Sequence, residues 1–113
     1  MKHTELQLSG AKLVFKRDQK DWCRILLKTN SNSMELGADT WAVIKQKLNG
    51  ALSSICESTE PEWVLSLSEK HCSLYRQNIN NNTEFFWQNA EGNEIWRSEV
   101  KVPLSKEELD ALC

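Results

Sequence analysis

Along most of this chain polar and apolar residues alternate one by one, and only once does the apolar spacing lengthen to that of a helix. Single alternation puts every second side chain on one face of an extended strand. It recurs at 4–8, 12–16, 22–28, 63–68, 71–76, 83–89 and 94–102. The exception is Trp41, Ile44, Leu48, Leu52 and Ile55, at intervals of 3, 4, 4 and 3 residues, one apolar stripe on a helix. A chain patterned this way has to fold as antiparallel sheet closed by one substantial helix. Asp39 is the expected N-cap. The stripe stays in phase past Gly50, which costs about 1 kcal/mol relative to Ala inside a helix, so the helix is predicted over 39–56, with a break at Gly50 as the alternative.

The segments between the alternating runs are turn-like. Ser9-Gly10 separates 4–8 from 12–16, and the polar run Thr29–Ser33 precedes a short fourth strand at Met34–Leu36. If Glu69-Lys70 is a two-residue turn, Leu67 faces Cys72 and Leu65 faces Leu74, which matches the apolar pattern. A turn centred on Glu91-Gly92 sets Trp87 opposite Trp96, a cross-strand pair worth up to about 1 kcal/mol. Ser105-Lys106-Glu107-Glu108 reads as a capping box, with Leu104 and Leu109 as its hydrophobic staple, opening a short helix at 106–112. The fold class is therefore α+β: an antiparallel sheet of meander hairpins packed by the 39–56 helix and closed by 106–112, in the order ββ(β)βαββββα.

With 113 residues the chain makes one domain, 1–113. Strands followed by a capped helix occur at 4–56 and again at 62–112, the pattern of a weak internal duplication. Leu36 to Trp41 and Leu104 to Leu109 share the same spacing across the two helix starts.

The net charge of −2 disfavours binding to nucleic acid or to an acidic membrane. Residues 1–28 are locally basic, with Lys2, Lys12, Lys16, Arg17, Lys20, Arg24 and Lys28 against Glu5, Asp18 and Asp21. Cys23, Cys56, Cys72 and Cys113 include no Cys-x-x-Cys pair, so a zinc site has no chelating arm to start from. The N-terminal segment has no continuous apolar core, and no apolar run approaches the length of a membrane span. Cytoplasmic residence with reduced thiols and no membrane contact is the expectation.

Catalytic patterns are missing. There is no phosphate-cradling Gly loop, no Gly-x-Ser-x-Gly elbow and no His-Glu-x-x-His helix. His71-Cys72 places a base beside a nucleophile in sequence, but neighbours on a strand point to opposite faces. Glu84 and Glu99 face each other across the last hairpin, near strand ends and flanked by Arg97 and Lys101, where they are expected to be solvated. No catalytic residue, metal ligand or cofactor follows.

Five Trp in so short a chain are the remaining signal. Trp41 belongs to the helix stripe and Trp63 to the Leu65/Leu67 face, so both are expected in the core. A sheet packed on one side leaves its other face open, and an exposed aromatic set there implies a partner. The first expectation is a non-enzymatic protein-interaction domain, contacting an unknown protein or a second copy through Phe86, Trp87 and Trp96. The alternative is single-stranded nucleic-acid binding, with sheet aromatics stacking bases while Lys12, Lys16, Arg17, Arg24 and Lys28 track phosphates. The strands-then-helix order resembles the Whirly type of single-stranded-DNA-binding fold, and the resemblance is one of topology alone.

Overall fold

The alternating runs become eight strands and the two helical signals two helices in a computed structural model, which describes residues 2–112. The first half holds β1 (Lys2–Leu8), β2 (Ala11–Arg17), β3 (Trp22–Lys28), β4 (Ser33–Thr40) and α1 (Trp41–Leu52). The second holds β5 (Glu62–Ser66), β6 (Ser73–Ile79), β7 (Asn82–Gln88), β8 (Glu94–Glu99) and α2 (Lys106–Asp110). The strands divide into two antiparallel four-stranded meanders, β1–β4 and β5–β8. The element order is four strands and a helix, twice over.

Each sheet turns one face inward. Leu13, Phe15, Ile25 and Leu27 from the first sheet, Leu65, Leu74, Phe85 and Trp87 from the second, and Trp41, Ile44, Leu48 and Leu52 from α1 form one continuous core. The three-residue and four-residue spacing of the α1 positions sets them on one side of the helix.

The joint between the sheets is a close backbone contact. Ala38 and Ser68 form a bridge, in which Ser68 N donates to Ala38 O at 3.0 Å and Ser68 Oγ donates to the same carbonyl at 2.7 Å. Gly37 makes the approach possible: its φ is +136°, and a Cβ there would lie 2.6 Å from Ser68 O and 2.7 Å from Leu67 Cβ. Only a residue without a side chain tolerates both conditions. The strand expected to end before Gly37 runs through it to Thr40, with a bulge that leaves Leu36 without a partner on β3 and wholly buried.

The main helix is shorter than its stripe. It starts at Trp41 after Thr40, with Asp39 one residue earlier and its Oδ1 accepting from Thr40 N at 2.7 Å. It stops at Leu52, and Ile55 is exposed. Gly50 lies inside it. Tertiary bonds replace the helical bond that would carry it on: Leu104 N donates to Leu52 O at 2.8 Å, and Cys56 N donates to Thr83 Oγ1 at 3.1 Å. With no basic residue in the last turn, the negative end of α1 is met from outside by Arg76 on β6, whose Nη1 donates to Ala51 O and Ser54 O.

α2 follows the capping-box reading. Glu108 N donates to Ser105 Oγ at 3.1 Å and Ser105 N donates to Glu108 Oε1 at 3.0 Å. Leu104 and Leu109 both pack against the core. No helix among the described residues is long and apolar enough to cross a membrane.

Candidate binding surface

An inward face for each sheet leaves an outward one. On the second sheet the strand registers align four residues across all four strands. Trp63 pairs Tyr75, Tyr75 pairs Phe86 and Phe86 pairs Arg97. Tyr75 stacks on Phe86 with ring centres 5.3 Å apart and planes at 16°. The Arg97 guanidinium lies 4.3 Å from the Phe86 ring centre, and Lys47 Nζ from α1 lies 4.1 Å from that of Trp63. The result is an aromatic row with a cation over each end ring.

The row is held in place by polar neighbours. Arg97 donates to Glu94 through Nε and Nη2, and through Nη1 to Glu84 and Gln77. Glu94 contributes most, and with Glu84 it holds the guanidinium above its ordinary pKa against the opposing effect of desolvation. Trp63 Nε1 donates to Ser66 Oγ at 2.8 Å, and Ser66 Oγ meets Ser73 Oγ at 2.7 Å. Phe86 is covered by these neighbours and is 3% exposed, whereas Trp63 is 52% exposed.

Trp63 is a correction to the sequence reading, which puts it in the core with Leu65 and Leu67. A bulge at Val64 breaks the alternation: Leu65 pairs Leu74 as expected, but the next pair is Trp63 with Tyr75. One extra residue reverses the facing of everything before it. The apolar run Trp63-Val64-Leu65 is the trace of this bulge in the sequence, since strict alternation requires a polar residue at 64.

The residues expected to form the protein-binding surface are placed differently from one another. Trp87 and Trp96 do pair, but on the inner face, where Trp87 is 2% exposed and Trp96 is partly buried beside the β1–β2 turn. Phe86 lies on the outer face. The structure therefore brings Phe86 together with Tyr75 and Trp63, and separates it from Trp87 and Trp96.

The first sheet carries the basic residues. Register sets Lys12 opposite Lys28 and Lys16 opposite Arg24, all on the outer face, around Val14 and Leu26. Carboxylates stand on the flanks: Glu5 accepts from Lys12 at 3.2 Å, and Arg24 pairs with Glu35 and Glu69. Among the described residues Lys16 and Lys28 have no ion pair. Trp22 shares this face and is partly exposed. Arg17 does not join the group. It faces inward, 6% exposed, with its guanidinium 4.4 Å from the Trp41 ring centre, one bond to Thr4 Oγ1, and Nε without a partner.

The described thiols are buried and free. Burial pushes Cys23 up to about 11 and raises Cys72. Burial also raises Cys56, helped by the Glu62 carboxylate that accepts from its Sγ. Low-pKa reactive thiols have the opposite environment. His71 sits in the turn with φ +58° and is exposed, one residue from the buried Cys72. Glu84 and Glu99 are paired in register as expected, with Glu84 accepting from Arg97 and Glu99 exposed. Cys113 lies outside the described residues.

A shallow groove of about 400 Å³ runs between α1 and the β5 edge, walled by Trp63, Lys47, Glu62 and Arg76. In the wall of this groove Arg76 Nε donates to Glu62 Oε1 at 3.0 Å. No protein-family model, no curated protein and no solved structure matches this chain.

Proposed function

We propose that this chain is a non-catalytic binding domain that holds a protein partner on the outer face of β5–β8, with Trp63 and Tyr75 as its contact residues. The observation that carries the reading is the exposure of Trp63, 52%, at the open end of an ordered aromatic row. Large aromatics on an uncovered face are the usual anchors of protein interfaces. The row is also preorganised by its own hydrogen bonds and stacking, which lowers the ordering cost of association. Cytoplasmic residence belongs to the same proposal and rests on the free thiols of Cys23, Cys56 and Cys72.

A photo-crosslinking amino acid at Ser73, beside Trp63 and Tyr75, tests the reading in cells that make the protein. The expected result is a covalent protein adduct from position 73 and none from Val43, an exposed position on α1. Adducts from neither position, or equally from both, count against it.

A second reading has one observation in its favour. Lys16 and Lys28, the two cations of this face without an ion pair among the described residues, each stand opposite another cation, Arg24 and Lys12, where an added anion is favoured. With Trp22 on the same face, a single-stranded nucleic acid supplies both phosphates and a base to stack. Titration with oligo-dT at low salt decides: Trp quenching that weakens with salt supports it, and its absence removes it.

A further inference from the structure

We infer that the partner held on the outer face of β5–β8 is a short segment rich in Arg or Lys; the inference rests on the protein-binding reading above. Charge, ring chemistry and size each point to this occupant.

The charged residues on this face are Glu84, Glu94 and Glu99 against Arg97 and the Lys47 that lies over Trp63, a balance of −1, and Glu99 is exposed with no ion pair among the described residues. A cationic segment is favoured there and an anionic one repelled. The rings already display the preference, because the chain's own Lys47 and Arg97 occupy the faces of Trp63 and Phe86. Arg97 is fixed by three acceptor side chains. Lys47 has no hydrogen bond or ion pair among the described residues, so its ammonium rests on Trp63 through ring attraction alone. It stands where a guest guanidinium or ammonium would sit, and yields the place to one.

Size argues for a segment over a second folded copy. Four strands about 4.8 Å apart and some six residues long offer a footprint of about 400 Å², against about 800 Å² per partner in a standard interface. An extended segment of about six residues spans that width.

The consequence is an opposed pair of effects. Removing the ring weakens binding, and removing Lys47 strengthens it, because the guest no longer competes with a tethered cation. A merely structural role for Trp63 does not produce the second effect.

The test is calorimetric titration of the full chain with a capped nonapeptide of alternating Arg and Ser, and with its Glu-for-Arg counterpart. The Arg peptide is expected to bind, with Kd rising at least about five-fold between about 50 and 300 mM salt as screening increases. Trp63→Ala is expected to raise Kd about ten-fold and Glu99→Lys about three-fold, while Lys47→Ala lowers it two- to three-fold. Equal or tighter binding of the Glu peptide overturns the inference, as does an Arg peptide that fails to bind or is indifferent to Trp63→Ala and Lys47→Ala. Protein adducts from position 73 in that case leave the protein-binding reading standing and remove only the basic segment. Absence of those adducts removes the reading itself.

Discussion

The two outer sheet faces solve the same problem with different residues. Each is the outward side of a four-stranded meander, and each buries one large or branched apolar side chain at its centre. On β1–β4 that residue is Val14, fully buried between Glu5 and Leu26 with Lys12 and Lys16 two positions away on its own strand. Long side chains lay their stems over apolar surface while their charges stay in water. On β5–β8 it is Phe86, covered by a stacked Tyr75 and the guanidinium of Arg97. The first solution leaves a face of cations flanked by carboxylates. The second leaves an aromatic row with an acidic surround. An open sheet face is therefore not an exposed apolar face, and its chemistry is set by what covers its central residue.

Both faces depend on the two sheets keeping their relative position, so the largest expected effect is at their joint. Gly37→Ala adds a Cβ at 2.6 Å from Ser68 O on a backbone with φ +136°. Steric overlap and left-handed strain together predict a loss of about 3 kcal/mol or more, measured by urea unfolding. An alanine tolerated within about 1 kcal/mol would mean the sheets are not locked there.

Next come the covered residues themselves. Phe86→Ala is expected to cost about 3 kcal/mol and Val14→Ala about 2, values of inner-core rather than surface substitutions. Equal unfolding midpoints for wild type and Phe86→Ala would show that Tyr75 and Arg97 cover nothing of consequence.

The inner faces carry an alkaline liability. Burial raises the Cys23 thiol to about 11 in the folded chain, against 9.0 for an unperturbed thiol. The folded state then keeps a proton that the unfolded state releases. Stability is full below about pH 9 and falls as pH rises toward 11, by up to about 1.4 kcal/mol per pH unit. Thermal melts across that window should flatten in Cys23→Ala, after allowance for its lower starting stability.

The smallest effect separates Arg17 from the other basic residues of β2 and β3. Its charge is buried with no carboxylate partner among the described residues, and Nε is unsatisfied. Replacement by an apolar side chain of similar length removes that desolvation penalty and the contact with Trp41 together. Arg17→Met is expected to leave stability unchanged or raise it by about 1 kcal/mol, with oligo-dT titration unaltered. A drop of 2 kcal/mol or more would assign Arg17 a structural charge the geometry does not reveal.

Local pattern alone determined much of this protein. The registers that pair Leu65 with Leu74, Trp87 with Trp96 and Glu84 with Glu99 follow from alternation and turn position. The capping box of α2 follows from four consecutive residues. These features depend on neighbours a few positions apart or joined by a short turn, so the information is present in the string.

Tertiary structure decided the rest. The bulge at Val64 moved Trp63 from the expected core to the surface, because a single unpaired residue inverts facing and its position depends on how β5 fits β6. Bonds from Leu104 and to Thr83, about fifty and thirty residues away, ended α1 before its stripe did. The joint between the two sheets turned on Gly37 lying against Leu67 and Ser68, and the burial of Arg17 on the Trp41 ring beneath it. Each is a contact between segments remote in the chain, for which the sequence holds the participants but not their meeting.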